Sequence, residues 1–202
     1  MKLKKVFLLL LLLVIAETWM ACCDCEAPKY YNYTHTGMVL LNLDNRGQNP
    51  VIASDYPIPK DAYGIRIILT TEATARQKPA FSFFIQSAYA FSCKCEAGTQ
   101  YLPRDSVVNL RIFTLNDFDA EYPAGSEISD YFRILSSDHY ATVPGYLSQS
   151  GATFTYNEPR EVLLNTMLLQ PPVQKGNYRF RIEIELSDGR IFNKETDMIE
   201  LR

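Results

Sequence analysis

The chain has 202 residues, 20 of them Lys or Arg and 23 Asp or Glu, for a formal net charge of −3. A mildly acidic chain with no basic cluster lacks the grouped cations that phosphate neutralisation needs, which excludes nucleic acid as a partner. The length suits one elaborated domain or two small ones with a proper core, and no apolar stretch after residue 16 is long enough to cross a membrane as a helix.

The N-terminus opens with Lys2, Lys4 and Lys5, continues as an apolar run over 6–16, and ends in Glu17-Thr18-Trp19-Met20-Ala21-Cys22. The run fits a signal-peptide core of about 7–15 residues and falls short of the roughly 18–20 that span a bilayer. An uncleaved anchor, a buried helix, or a secreted protein cut near Ala21 are the alternatives. The order of basic region, short apolar core, small residue and cysteine resembles the signal peptide of a bacterial lipoprotein. That resemblance implies export, cleavage before Cys22 and acylation of Cys22. Ala21 matches the small residue of the pattern, whereas Trp19 stands where an aliphatic residue is usual. Trp19 is also the only tryptophan, so the cleaved chain has none.

Of the five cysteines, assigning Cys22 to lipid leaves Cys23, Cys25, Cys93 and Cys95 as two Cys-x-Cys pairs. In an oxidising compartment an even remainder reads as disulfides. Both sulfurs of a pair face the same way along an extended chain, so a bridge within a pair is strained and bridges between the pairs are easier. Such a staple would hold the anchor close against the domain. Four thiolates around zinc are the alternative, but structural zinc favours Cys-x₂₋₄-Cys. Free thiols, or acylation of Cys23 in place of Cys22, are the others.

Residues 24–36 read as a short linker, which makes 22–36 a lipidated tether. Strand signals follow. The run 38–43 is apolar; Tyr63, Ile65, Ile67 and Leu69 alternate with polar or small residues; Phe81 to Cys95 keep one parity with an expected break near 87–90; Val108, Leu110 and Ile112 alternate with Asn109 and Arg111. Ser126, Glu127 and the spacing of Ile128, Tyr131, Phe132 and Leu135 predict one helix. Segment 136–161 is rich in turn residues, and 162–169 returns to strand before Pro171-Pro172.

The C-terminal pattern is the clearest. Tyr178, Phe180, Ile182, Ile184 and Leu186 form one face and Arg179, Arg181, Glu183 and Glu185 the other, leading into Asp188-Gly189. A two-residue hairpin turn there would set Leu186 opposite Ile191 and Glu183 opposite Lys194. It would also oppose Ile182 and Glu195, so a bulge near 193–195 is expected. Many short strands separated by turns predict an all-β, two-sheet sandwich. The ending from Gly176 into Asp188-Gly189 is similar to the last hairpin of immunoglobulin-like domains. Residues 37–202 are read as one immunoglobulin-like sandwich with an inserted loop and short-helix region at about 116–161.

Chemistry is sparsely signalled. Asp138-His139 lacks a nucleophile elbow. Asp117, Asp119 and Glu121 do not have the spacing of a calcium loop. No catalytic residue, metal ligand set or cofactor is assigned. Tyr30, Tyr31, Tyr33, Tyr56, Tyr63, Tyr140, Tyr146 and Tyr156 could present an aromatic surface; Tyr140, Tyr146 and Tyr156 are the binding candidates, since tyrosine suits protein partners.

Met1 to Cys22 together with Cys22-Cys23-Asp24-Cys25-Glu26 resemble lipoproteins of Bacteroidota, and the strand pattern resembles the uncharacterised domains those lipoproteins carry. The resemblance implies an outer-membrane address, on the periplasmic or cell-surface face, and no transferable active site. The expected function is a lipid-anchored, non-enzymatic interaction module with a protein or glycan partner. Alternatives are a glycan-binding accessory of a surface uptake system and a hydrolase built on 116–161.

Overall fold

The computed structural model describes residues 29–53, 57–77, 99–136, 139–149 and 162–202. The signal-like segment, all five cysteines, the aromatic run over 81–95, Tyr56 and Tyr156 lie outside them. The described chain forms the expected all-β sandwich.

One sheet is built on β1 (Lys29–Asp44), β2 (Val51–Ile52), β3 (Tyr63–Gln77), β4 (Thr99–Pro103), β6 (Phe132–Ser136), β7 (His139–Ala141) and β8 (Val162–Leu168), in the order β2-β1-β3-β8-β6-β7 with β4 also on β1. The other carries β5 (Val107–Thr114), β10 (Phe180–Leu186) and β11 (Ile191–Glu195), in the order β11-β10-β5. A two-stranded ribbon pairs β9 (Gly176–Tyr178) with β12 (Ile199–Leu201). The pairings are antiparallel except β1 with β4, which is parallel.

Period-two burial explains the layers. Tyr63, Ile65, Ile67 and Leu69 of β3 and Phe180, Ile182, Ile184 and Leu186 of β10 are all buried and face a common core. Aromatic contacts cross it: the Tyr63 and Phe180 rings stack at 5.2 Å, and Phe132 meets Phe180 edge-on at 5.8 Å. Tyr63 donates its hydroxyl proton to Asn42 Oδ1 at 2.7 Å, and burial pushes its pKa far above the ordinary tyrosine value.

Register shifts adjust the pattern, two in β1–β3, the first between Asn32 and Tyr33, and one in β5–β10. The β1–β3 register jumps between His35 and Gly37, so the buried parity changes from Tyr33 and His35 to Met38 and Leu40, with Thr36 turned out. In β5 the register with β10 shifts between Glu185 and Leu186. Val107 is therefore buried and Val108 half-exposed, which corrects the expectation that Val108 shares a face with Leu110 and Ile112.

Other expectations are corrected as well. Residues 29–36 are the first half of β1, not linker, because β3 on one edge and β4 on the other complete their backbone bonds. The hairpin loop has three residues: Leu186 N–H donates to Arg190 O at 2.9 Å, and Gly189 takes φ +86°. Glu185 therefore faces Ile191, and Glu183 faces Asn193. This slip removes the unfavourable Ile182–Glu195 pair without a bulge, placing Glu195 opposite Arg181. The helix expected over 126–135 is a single 3-10 turn, Ser129–Tyr131, followed by β6. Phe132 and Ile134 are both buried, so strand period overrides the apparent helical spacing. Since β6 pairs with β8 inside the larger sheet, the 116–161 region contributes to the sandwich instead of being appended to it. The α-helix among the described residues is α1 (Val143–Gln149), in a segment the sequence suggested was turns. Thr142 caps it, its Oγ1 accepting from Gly145 N–H at 3.1 Å.

Candidate functional site

The candidate site lies at the start of β5. A groove of about 410 Å³ runs between Ser106, Val107, Val108 and Asn109 on one side and Val143, Pro144, Leu147 and Ser148 of α1 on the other. Its walls are apolar side chains interspersed with small hydroxyls and one amide, and none of them is a charged or titratable group.

The backbone beside this groove is the edge of β5 that β10 does not pair. Ile112 N–H donates to Ser129 Oγ at 2.9 Å and Ile112 O accepts from Ile128 N–H at 2.8 Å. Thr114 behaves likewise, bonding Ser126 O and Gly125 N–H. These two residues thus turn their peptide groups away from β10, toward segment 125–129. Leu110 precedes Ile112 by one period in the same ladder, opposite Ile184, so its N–H and C=O point to that side too. Leu110 itself is buried, 2% exposed, so the part of this edge that reaches the surface is at Val108 and Asn109. A strand edge that its own chain pairs at 112–114 and that borders a groove at 106–109 offers a place where an extended peptide can lie.

Behind β5 sits a buried polar clasp that holds this end of the two sheets together. Asp105, between β4 and β5, is almost fully buried. Its carboxylate accepts from His35 N–H at 3.1 Å, from the Thr34 hydroxyl and from Arg190 Nη2. It lies 2.7 Å from His35 Nδ1, and since a carboxylate can only accept, Nδ1 carries the proton. Arg190, in the β10–β11 hairpin, also donates to His35 O at 2.6 Å and to Asp188 at 2.7 Å. Burial alone would raise the Asp105 pKa, but the bonds from Thr34 and from the backbone and ring of His35 together hold it below the ordinary value. His35 is fully buried and its Nε2 has no hydrogen-bond partner among the described residues. A ring sealed from solvent can orient Asp105, but it cannot reach a substrate. Further along β1, Lys194 of β11 donates to Met38 O at 3.3 Å.

The sequence candidates distribute as follows. Asp117 Oδ1 accepts from Ala124 N–H at 2.9 Å, and Asp119 Oδ1 accepts from Glu121 and Tyr122 N–H at 2.8 and 2.9 Å. Both carboxylates shape the 116–125 turn, and among the described residues no acidic, His or Cys group is arranged to hold a metal ion. His139 is exposed on β7. Of the tyrosines, Tyr140 is half-exposed on β7 and its hydroxyl is 3.4 Å from Asn45 Nδ2. Tyr146 instead packs against the core from α1, and burial raises its pKa. Tyr31 stacks on Tyr101, and Tyr33 and Tyr63 are core residues. Tyr140 is thus exposed and Tyr146 is largely withdrawn. The groove and the clasp both escaped sequence reading. The only trace of the clasp was a histidine inside what proved to be a strand.

The fold and the site together define an all-β sandwich with a groove beside one strand edge. Residues 35–197 match the family described as a domain of unknown function, DUF5034, and the chain belongs to that family. No curated protein and no solved structure matches it.

Proposed function

We propose that the protein is a Bacteroidota-type envelope lipoprotein, cleaved before Cys22 and held on the outer membrane by acyl chains on that cysteine. Its domain acts as a non-enzymatic binding module, on the periplasmic or cell-surface face, that takes an extended segment of a protein partner along β5. The observation that carries the binding reading is the groove itself. Its apolar walls stand beside the β5 edge that β10 does not pair, where Val108 and Asn109 are exposed, and no acid or base lines it. Main-chain hydrogen bonds would supply affinity, and the Val108 and Leu147 walls would select side chains. The segment 125–129 already uses the same edge two residues on, where Phe113 and Glu127 bridge antiparallel. The address rests on the Lys2 to Cys22 pattern, and a disulfide-stapled N-terminus on the Cys-x-Cys pairs.

A photo-crosslinking residue placed at Val108 or Ser148 in the membrane-bound protein tests the binding reading, with Val173 as an exposed control. Adducts to one protein from the groove positions and none from Val173 are expected. Equal labelling at all three, or retention on envelope polysaccharide with no adduct, would refute it; the second result would favour the glycan alternative.

A further inference from the structure

We propose that the outward face of the smaller sheet, β11-β10-β5, docks a second copy of this chain about a two-fold axis that passes between Arg181 and Glu183.

Period two builds the face. Phe180, Ile182, Ile184 and Leu186 of β10 point into the core and are buried, so Arg179, Arg181, Glu183 and Glu185 point the other way and are partly exposed. Leu110 and Ile112 of β5 are buried likewise, which leaves Arg111 and Phe113 outward, beside Glu183 and Arg181 in the ladder. On β11, Asn193 and Glu195 stand beside the same two residues.

The charges of this face are not all settled within one chain. Arg111 Nη2 lies 2.8 Å from Glu183 Oε2, and Arg179 Nη2 lies 2.6 Å from Glu195 Oε2. Arg181 is left with a 3.5 Å approach of its Nε to Glu183 Oε1, an oxygen to which Asn193 Nδ2 already donates at 3.3 Å. That Nε is buried without a hydrogen-bond partner among the described residues. The Arg181 guanidinium rests over the Phe113 ring at 4.5 Å, with Arg111 at 5.7 Å from the same ring. Stacking holds the fork in place, ready for a carboxylate. Glu185 forms no ion pair among the described residues. One cation and one carboxylate therefore remain, and their positions on β10 are about 13 Å apart, too far to pair with each other.

A second copy supplies both. Along β10 the outward order is cation, cation, carboxylate, carboxylate, which becomes its own complement when reversed. The two-fold sets Arg181 against Glu183 of the second copy and Arg179 against Glu185 of the second copy, and each contact occurs twice. Every outward charge on β10 thus meets its opposite. The same rotation lays Phe113 over Arg111 of the second copy and Asn193 beside Glu195 of the second copy, since each keeps its place beside β10. Facing sheets pack about 10 Å apart, a gap that Arg and Glu side chains span from both sides. An acidic peptide would satisfy Arg181 but leave Glu185 unmatched. A sugar would find the Phe113 ring already occupied by guanidinium. Exposed ion pairs and cation–π contacts are individually weak and screened by salt, so the contact is a reversible one.

A photo-crosslinking residue at Asn193 of the full chain, irradiated in the cells that express it, tests the proposal, with the exposed Leu163 on the other sheet as control. The expected result is an adduct of twice the chain mass from Asn193 and none from Leu163. Glu185→Arg or Arg179→Glu alone should lower that adduct about tenfold or more, because each brings like charges together twice. Glu185 has no ion pair to lose, and Arg179 and Glu195 are 42% and 43% exposed, so neither change endangers the fold. Co-expressed with different tags, the two variants should recover a mixed adduct, since each then meets the opposite charge on the other. Equal dimer adducts from Asn193 and Leu163 would overturn the proposal. So would an Asn193 adduct only to a different protein, a dimer indifferent to both single reversals, or a mixture that stays unlinked.

Discussion

Replacing Asp105 with Asn tests the idea that one carboxylate clasps the two sheets together beneath the groove. The carboxylate accepts from Thr34, from the backbone and ring of His35, and from Arg190. An amide keeps one acceptor oxygen and turns an NH₂ toward groups that are themselves donors. Removing one partner of a buried ion pair costs about 3–5 kcal/mol. Arg190 is 41% exposed, so water can solvate its released charge, and the lower end, about 3 kcal/mol, is the expected loss at neutral pH. Native folds have roughly 5–15 kcal/mol in hand, so the variant should remain folded. Urea titrations of the two proteins at pH 7 and pH 3 measure the difference.

The sign with pH follows from the depressed pKa of Asp105. Its stabilisation is fully present above the unfolded value of 3.8 and is lost as pH falls through the lower folded value. The gap between wild type and variant should therefore narrow on acidification below about pH 4. A difference under about 0.5 kcal/mol at pH 7, the size of an ordinary surface substitution, would refute the clasp. So would a gap that stays constant down to pH 2.

Two glycines give opposite kinds of test. A Cβ on Gly64 would stand 2.7 Å from Met167 Sδ and 2.8 Å from the Thr166 carbonyl oxygen. Since backbone cannot step aside, Gly64→Ala should cost about 3 kcal/mol, seen as a fall of roughly 6–10 °C in Tm. At Gly189 nothing lies within 4 Å of the added atom, but φ is +86°. Gly189→Ala should therefore cost only about 1 kcal/mol, from backbone strain, and a loss as large as that of Gly64→Ala would contradict the three-residue loop.

Much of the fold was legible because β3 over 63–69 and β10 bury every second residue. The hairpin was placed correctly, yet its register was missed by one. Asp188-Gly189 suits a two-residue turn and a three-residue loop with Gly189 in the left-handed region equally well locally, and the choice is made by Glu195 meeting Arg181 across the ladder. β1 escaped because its apolar parity changes at Thr36, which hides a 16-residue strand from any single-period reading. The helix over 126–135 was a coincidence of spacing: Ile128 and Tyr131 flank a 3-10 turn, and Phe132 begins a strand. α1 was hidden by Pro144-Gly145, which signals a turn unless Thr142 is recognised as its cap. The candidate site was the least legible part. Asp105 lies 70 residues from His35 and 85 from Arg190, and the groove joins the start of β5 to a helix more than 30 residues on. Such juxtapositions are set by topology, which composition and period do not encode.

The central claim is that Cys22 ties this β-sandwich domain to a membrane, and fractionating cells that express Cys22→Ser tests it most directly. The account predicts that the variant loses palmitate labelling and moves from the membrane pellet to the soluble fraction, with the domain still folded. A variant that keeps its label, or stays in the pellet as firmly as the wild type, would contradict it.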